Sequence, residues 1–382
     1  MLNRGKKLSL YIHFPFCKSK CTYCDFYSIT DRKKENEYIS ALKDEILFYS
    51  KKYRNQYIIT TIYIGGGTPS LISIKNLTSI INIIKEAFFL DKKIEFTIEV
   101  NPESINSELV DFYYKAGINR LSIGVQTFNN KILKILNRLA NREIILKKLD
   151  MIKNSKFPNY SFDLIYGLPY QNLKLFKEDL KLAILFKPKH ISLYMLMLKN
   201  DVPLYKLYIK KPQIFPDEND IAKYFILADK YLSSHKLKRY EISNFAKKNY
   251  ISLHNLRYWL QKDYLGVGAS ATSTISNLRW NNINNISEYI KKIKNNEPPV
   301  KNYEAIDKLT HINERIMLNL RLRKGINLLS FKKEENIDLI KAKFNIIKEL
   351  RSEKLIRIRH NHLYLTRKGI MVSNAVISKL IF

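Results

Sequence analysis

Three closely spaced cysteines are the residues of this chain best suited to chemistry. Cys17, Cys21 and Cys24 are the only cysteines among 382 residues, and they lie within eight consecutive positions. Such clustering is not expected of buried packing residues, and an odd number of cysteines argues against a disulfide framework. A structural zinc site needs four ligands, so His13 would have to complete one. A [4Fe–4S] cluster is normally held by four cysteines, so three would leave one iron open to another ligand.

A sixfold alternation of predicted strands and helices supplies the frame that must position this loop. Short apolar runs rich in β-branched and aromatic residues predict strands at Leu8–His13, Thr60–Ile64, Ile94–Val100, Asn119–Gly124, Tyr160–Tyr166 and His190–Met197. Periodic apolar positions predict helices at Lys34–Lys52, Lys75–Phe89, Ser107–Ala116, Asn141–Lys153 and Lys174–Phe186. Near-continuous apolar strands joined by helices predict an α/β fold with a parallel sheet covered on both faces.

Polar and glycine-rich residues near the carboxyl ends of the strands distinguish a barrel from an open sheet. The cysteine loop follows the first strand, Gly65-Gly66-Gly67-Thr68-Pro69 follows the second, and Glu99 ends the third. Gln126 follows the fourth strand, and Asp163 lies in the fifth. Barrel sites are assembled from many strand ends, whereas an open sheet concentrates its ligand at one switch point. Six units in place of eight therefore predict a partial (β/α)6 barrel.

The last third of the chain departs from this alternation. We predict three parts: a barrel over residues 1–240, a connecting segment over 241–300 and a C-terminal domain over 301–382. A helix is predicted at Asp217–Ser234, and a linker near Glu297-Pro-Pro. A hairpin within residues 355–365 followed by a helix predicts a small helical, winged-helix-like domain. We interpret this domain as a packing cap, since it has no basic recognition helix.

The strongly basic composition bears on partners and location. A net charge of +31 arises from 66 basic and 35 acidic residues, which are dispersed along a chain rich in Lys, Asn and Ile. We interpret this excess as compositional bias and expect no nucleic-acid partner, because no recognition motif accompanies it. The sequence contains no run of 18 apolar residues, so we expect no membrane span. Peripheral contact with a membrane surface stays an open alternative. The basic start of the chain lacks a cleavage site, so we expect a reducing, cytoplasmic location.

The glycine turn and the carboxylates are weak signals when each is taken alone. Gly66 and Gly67 would let the backbone approach a ligand closely, although an ordinary tight turn would have the same sequence. Glu99 could accept hydrogen bonds from a ribose or an ammonium group, although a single carboxylate at the end of a strand is often only a solvated charge. Asp163 lies within an otherwise apolar strand, where a buried carboxylate needs a partner. These residues become informative beside the cysteine loop.

Taken together, these segments resemble a known family. The C-x3-C-x2-C loop is similar to that of radical S-adenosylmethionine (SAM) enzymes. Five segments match the oxygen-independent coproporphyrinogen III oxidases: Tyr11-x-His-x-Pro-Phe-Cys, Gly-Gly-Gly-Thr-Pro-Ser, Glu-Val-Asn-Pro, Gly124-Val-Gln-Thr-Phe and Asp163-Leu-Ile-Tyr-Gly-Leu-Pro. The resemblance implies a radical SAM partial barrel whose three cysteines hold a [4Fe–4S] cluster, with SAM on the open iron.

The resemblance also assigns residues to SAM. Positions matching those that contact the SAM on the cluster are Tyr11, Gly66 and Glu99. Positions matching those around a second SAM in the oxidases are Tyr23, Gly67, Thr68, Gln126, Arg138 and Asp163. Whether a second SAM binds to this chain is left open.

Two departures from the oxidases favour a sister group, the HemW-type heme chaperones. Phe26 stands where the oxidases have a further cysteine, and the first cysteine of this chain is already reached at residue 17. Four segments resemble the chaperones: Cys24-Asp-Phe-Tyr-Ser, His190-Ile-Ser-Leu-Tyr-Met-Leu, Tyr240-Glu-Ile-Ser-Asn-Phe-Ala and His254-Asn-Leu-Arg-Tyr-Trp. This resemblance implies a protein that binds heme, passes it to an acceptor protein and takes electrons for its cluster from a donor. Coproporphyrinogen III oxidation is the alternative.

The heme-ligand candidate is His254. Imidazole is a common proximal ligand of heme iron, Tyr258 and Trp259 could pack against the macrocycle, and Arg257 could pair with a propionate. A histidine beside a tryptophan could equally be a core residue. We expect the segment to be irregular and to lie over an open face of the barrel.

Overall fold

The structure, a computed structural model, describes residues 5–382. Its strands are β1 Lys6–Phe14, β2 Tyr57–Gly66, β3 Leu90–Val100, β4 Arg120–Gln126, β5 Tyr160–Tyr166, β6 His190–Met195, β7 Lys238–Arg239, β8 Asn244–Ala246, β9 Tyr264–Val267, β10 Thr272–Ile275, β11 Leu278–Asn282, β12 Val300–Ala305, β13 Ile326–Asn327, β14 Ile356–Arg359 and β15 His362–Leu365. Its helices are α1 Glu35–Tyr53, α2 Ile74–Ala87, α3 Ser107–Ala116, α4 Asn130–Ile135, α5 Arg142–Lys153, α6 Leu173–Leu185, α7 Pro203–Lys210, α8 Glu218–Ser234, α9 Leu253–Trp259, α10 Ile286–Lys294, α11 Lys308–Arg321, α12 Leu328–Glu335, α13 Leu339–Ala342, α14 Phe344–Ser352, α15 Arg367–Met371 and α16 Ser373–Leu380. The expectation about export falls partly on residues 1–4, which lie outside the described residues.

The six predicted strands form one continuous parallel array. Strands β1 to β6 pair in sequential order, each parallel to the next. Each consecutive pair is joined by a crossover that contains at least one helix, which confirms the predicted α/β partial barrel. Because all six strands run in the same direction, the loops that follow them gather at one end of the array.

Short polar side chains set where the covering helices begin. The side chains of Asn106, Asn141 and Asn172 accept hydrogen bonds from backbone N–H groups in the first turns of α3, α5 and α6. Such N-caps satisfy donors that a helix start otherwise leaves unpaired. One face of each helix is apolar and packs on the sheet, as the buried side chains of α2 show: Leu77, Ile80, Ile81, Ile84 and Ala87.

Short strands extend the array at both ends into a 12-stranded sheet. Strand β9 pairs parallel with β1, and β10, β11 and β12 follow it antiparallel. At the other end, β8 pairs antiparallel with β6, and β7 pairs with β8. Residues 241–300 thus contribute strands to the same sheet as the barrel. A domain boundary near residue 240 stays a prediction.

A buried carboxylate fastens the β9–β11 extension to the first helix. Glu45 on α1 is fully buried and accepts hydrogen bonds from Gly268 N at 2.7 Å, Asn282 Nδ2 at 2.6 Å and Tyr289 Oη at 2.6 Å. Burial raises the pKa of Glu45 to about 7, and the three donors oppose that rise. One side chain therefore joins α1 to the extension and to α10.

The C-terminal part has an apolar core of its own. Helices α11, α14 and α16 pack with the three-stranded sheet β13-β15-β14 around buried residues that include Ile316, Phe331 and Leu363. The hairpin β14–β15 followed by α15 confirms the predicted winged-helix-like arrangement. Asp229 on α8 connects this part to the barrel, because it pairs with both Arg239 and Arg367. Within residues 5–382, no helix is long and apolar enough to cross a membrane.

Candidate functional site

A cavity of about 580 Å³ lies at the carboxyl ends of the parallel strands. It is lined by every residue that the sequence placed in the site except Tyr11 and His254, namely Cys17, Cys21, Tyr23, Cys24, Gly66, Gly67, Thr68, Glu99, Gln126, Arg138 and Asp163. These residues are contributed by the loop after β1, the turn after β2, and the segments that include or follow β3, β4 and β5. The fold thus collects strand-end residues into one pocket, as expected of a barrel.

The three thiols line this pocket on a loop that is tied to the rest of the barrel. Thr68 Oγ1 donates to Cys17 Sγ at 3.5 Å, and Arg138 Nη1 donates to Cys21 Sγ at 3.6 Å. Burial raises the pKa of the Cys24 thiol to about 11. Both donors would stabilise a thiolate once a metal had displaced its proton.

The zinc alternative finds little support at His13. Its Nδ1 hydrogen-bonds Tyr11 Oη at 2.9 Å, and its Nε2 hydrogen-bonds the carbonyl oxygen of Tyr27 at 2.9 Å. Both ring nitrogens are therefore occupied, and burial lowers the pKa of His13 to about 4.

The glycine turn packs its backbone directly on the cysteine loop. A Cβ at Gly67 would lie 2.7 Å from the carbonyl oxygen of Phe16 and 3.0 Å from Cys17 Sγ. Gly66 has a φ of +116°, which favours glycine, and its Cβ would meet the His13 ring at 2.8 Å. Glycine is required here because the backbone of the turn packs against the cysteine loop at distances that leave no room for a Cβ. The alternative of an ordinary tight turn does not account for this packing.

Two carboxyl groups face the same cavity from β3 and β5, the strands on either side of β4. Glu99 accepts from Tyr63 Oη at 2.8 Å and from the backbone N–H of Gly66 at 3.2 Å. Asp163 accepts from Ser122 Oγ, at 3.0 Å from its nearer oxygen. Burial raises the pKa of Glu99 to about 7, and the charge of Asp163 adds to the rise. Burial also raises the pKa of Asp163.

Asn101 is a pocket residue that the sequence did not single out. Its Oδ1 accepts from Arg138 Nη2 at 2.9 Å, and its Nδ2 donates to Thr68 Oγ1 at 3.3 Å. Arg138 also donates to the carbonyl oxygen of Gly124 at 2.7 Å. Asn101 thus links the two residues that donate to the thiols. Its position two residues after Glu99, within Glu-Val-Asn-Pro, was the signal that could have identified it.

Tyr11 lies beside the pocket and not on its lining. Its ring centroid is 6.2 Å from that of Tyr63 and 6.5 Å from that of His254, and its hydroxyl is bonded to His13. Its contact with SAM stays a prediction.

His254 lies away from the pocket, and the expected irregular segment is in fact helix α9. The carboxylate of Glu95, at the middle of β3, accepts from the backbone N–H groups of Leu253 and His254. Arg257 Nη2 also donates to the carbonyl oxygen of Lys7, near the start of β1, so α9 lies toward the end of the barrel away from the cysteine loop. The expectation of an irregular segment was wrong, because residues 253–259 are helical and the N–H groups of Leu253 and His254 are bonded to the barrel.

Both ring nitrogens of His254 are engaged as well. Nδ1 hydrogen-bonds Thr61 Oγ1 at 2.9 Å, and Nε2 hydrogen-bonds Tyr258 Oη at 2.8 Å. The side chain is 1% exposed, and burial lowers its pKa to about 3. Heme ligation by His254 stays a prediction, and it would require α9 to leave its place.

Comparison with known proteins identifies the family. Residues 11–183 match the Radical SAM superfamily, and residues 306–372 match the HemN C-terminal domain. A protein of Buchnera aphidicola (subsp. Schizaphis graminum) named heme chaperone HemW is 37% identical over 382 residues, covering 97% of both chains. The chain belongs to the HemW family. HemW proteins of Lactococcus lactis and Bacillus subtilis are 31% and 32% identical and cover 98% and 96% of this chain.

A solved structure shares the fold of this HemW-family chain. Escherichia coli coproporphyrinogen III oxidase (HemN), described as a radical SAM enzyme, aligns with a TM-score of 0.86 at 22% identity, over 98% of this chain and 90% of its own. At that identity the likeness concerns the fold alone. Radical SAM membership implies a [4Fe–4S] cluster and SAM, and the residues present fit both. Three thiols with hydrogen-bond donors, a bare glycine backbone and a carboxylate surround one cavity.

Proposed function

We propose that this protein is a heme chaperone, which binds heme and passes it to an acceptor protein while a [4Fe–4S] cluster and SAM occupy its pocket. The observation that carries the proposal is the similarity of nearly the whole chain to proteins named heme chaperone HemW. The pocket residues support the two cofactors. We further propose a cytoplasmic location, where reduced thiols persist, and an electron-donor protein for the cluster.

Each pocket residue has a role in this proposal. Cys17, Cys21 and Cys24 hold the cluster, and its open iron is left for SAM. Glu99 and the backbone carbonyl oxygen of Gly66 accept hydrogen bonds from the polar groups of SAM. When bound, the cluster supplies single electrons to SAM. The residues matching a second SAM site, which include Gln126, line the same cavity. We propose that they enlarge the surface on which SAM binds.

The experiment is anaerobic reconstitution with iron and sulfide, followed by titration with heme. We expect an iron–sulfur absorption band, stoichiometric heme binding and release of heme to an apo-acceptor. The variant Cys21→Ala should lose the cluster band and keep the fold. Stoichiometric zinc without an iron–sulfur band would contradict the cofactor assignment.

Coproporphyrinogen III oxidation is tested in parallel. With SAM and a reductant present, we expect no protoporphyrinogen to form, because Phe26 replaces the further cysteine of the oxidases. Sustained turnover of coproporphyrinogen III, with no binding of heme, would overturn the chaperone proposal.

A further inference from the structure

The mouth of the pocket carries an exposed apolar surface that the SAM and cluster roles do not use. Among the residues that the structure describes, the two most exposed large apolar side chains are Met197, at 73%, and Phe26, at 65%. Both line the same cavity, and so do the exposed side chains of Leu139 and Met195. We call these four residues the rim patch. Exposed apolar groups concentrated at a cavity mark a binding surface.

The rim patch is assembled from three separate parts of the chain. Phe26 follows the last cysteine, and Leu139 follows α4. Met195 is the last residue of β6, and Met197 lies two residues beyond it. Their convergence at one mouth is therefore a property of the fold and not of a single apolar run. Methionine side chains are flexible and polarizable, which suits contact with a large flat ligand.

Two lysines add positive charge beside the rim patch. Lys18 and Lys20 on the cysteine loop are exposed and line the same cavity. Lys18 makes no hydrogen bond or ion pair with any of the described residues. The nearby negative charge of Asp25 is neutralised by Lys199 at 2.6 Å. An apolar ligand with anionic substituents is thus complementary to the mouth of the pocket, because the rim patch is apolar and the lysines are positively charged.

We infer that heme binds across the mouth of the pocket, with its macrocycle on the rim patch and a propionate directed toward Lys18. This inference rests on the proposed function and names the cargo site within it. Heme combines a flat apolar face with two carboxylates, which are the features that the patch and the lysines match. His254, which is buried with both ring nitrogens bonded, is not needed for this site.

The test uses the full-length, reconstituted protein and a heme titration followed at the Soret band. Phe26→Ser and Met197→Ser should each weaken heme binding about tenfold, because a large apolar contact is lost. Phe26→Leu should bind nearly as tightly as the native protein. Phe344→Ser is the matched control, since Phe344 is 60% exposed and lies on α14, whose buried residues Ile347 and Leu350 belong to the C-terminal core.

The charge component has its own matched pair. Lys18→Glu should weaken heme binding about two- to fivefold and reduce its dependence on salt, because an exposed ion pair contributes little more than that. Lys348→Glu, on the exposed side of α14, should leave heme binding unchanged. Iron–sulfur absorption and SAM binding should persist in all these variants, which shows that the cysteine loop remains folded.

Hydrogen exchange supplies an independent readout of the place where heme binds. Heme should protect residues 17–28 and 194–199 and leave residues 253–259 unaffected. Native heme affinity in the serine variants, or protection confined to 253–259, would overturn the inference while leaving the chaperone proposal standing. If the native protein fails to bind heme at all, the proposed function itself is overturned.

Discussion

At the scale of single residues, the pocket is notable for carboxyl groups that are costly to ionise. Glu99 has two donors, Tyr63 Oη and the N–H of Gly66, yet burial still raises its pKa to about 7. Asp163 raises it further, whereas the buried Arg120 lowers it. A carboxyl with this pKa changes its charge within the physiological range, so ligand binding at this position should depend on pH.

We therefore predict a pH-dependent SAM affinity. Raising the pH from about 6 to about 8 ionises Glu99, which should tighten SAM binding by about tenfold in the native protein. Glu99→Gln should bind SAM weakly and lose this component of the pH dependence. Isothermal titration of both proteins isolates Glu99, because the titration of SAM itself is common to both. Parallel pH profiles for the two proteins would remove Glu99 from the SAM site.

Arg138 is predicted to tune the cluster. Its guanidinium donates to Cys21 Sγ, and hydrogen bonds to cluster sulfurs stabilise the reduced, more negative state. Arg138→Met should therefore lower the reduction potential of the reconstituted cluster, as measured by a redox titration followed by EPR. Arg142→Met is a suitable control, because Arg142 pairs with Glu178 outside the pocket. A potential equal to the native value would show that this contact is unimportant once the cluster is present.

At the scale of elements, Glu45 shows how a helix and a distant strand pair are held together. Its folded-state pKa of about 7 lies above its ordinary value of 4.5. A carboxyl whose pKa is raised by folding stabilises the protein below pH 4.5, and this contribution is lost as the pH rises through 7.

The unfolding free energy should accordingly fall between pH 4.5 and 7 by on the order of 3 kcal/mol from Glu45 alone. Glu45→Gln should lack this component, and urea unfolding at several pH values measures it. Asp44→Asn, an exposed neighbour on the same helix, should retain the native slope. Identical slopes in all three proteins would mean that Glu45 titrates normally. Hydrogen exchange should also quicken in β10 and β11 of the glutamine variant.

The sequence predicted the elements whose signals are local. Strand β5 and helix α3 have the predicted bounds, because apolar periodicity, flanking Asn caps and strand length all agree there. The pairing of β9 with β1 was not predicted, since four residues of β9 pair with a partner about 250 positions away and leave no local signature. Helix α9 was missed for a related reason. Ser252 caps it locally, but Glu95 and Thr61 on distant strands hold it in place, so a seven-residue segment alone looked irregular.

In the candidate site too, features with local sequence signals could be predicted, and features that depend on distant contacts could not. The strand ends could be predicted from the sequence, since a parallel array must place them together. The rim patch could not, because it depends on which side chains at the mouth remain uncovered. The exposure of Phe26 and Met197 is a property of the surrounding loops, and a sequence window does not report it.

At the scale of the whole molecule, the barrel and the C-terminal domain have separate cores joined by polar contacts. Asp229 on α8 forms an ion pair with an arginine from each part. The side chain of Arg239 is only 5% exposed, whereas that of Arg367 on α15 is 54% exposed. Gln261 and Asn319 add hydrogen bonds to backbone carbonyl groups across the same junction.

Removing the two arginine contacts should thus have unequal effects. Asp229→Ala should destabilise the protein by roughly 3–5 kcal/mol, because it removes the ion-pair partner of the buried Arg239. Arg367→Ala should cost less than about 1 kcal/mol, since its partner is retained and its own side chain is solvated. Urea unfolding compares the two variants. Equal losses would indicate that the junction to the C-terminal domain, and not the buried arginine, dominates.

The antiparallel additions at the two ends of the sheet also bear on aggregation. A parallel array assembles from distant segments, and its unpaired edges could capture a strand of another chain during slow folding. Here one outermost strand is β12, whose residues Lys301, Asn302 and Glu304 are exposed, and the other is β7, which has only two residues. Charged or very short edges are poor templates for strand addition. Both ends of the sheet therefore oppose polymerisation of the protein through strand addition.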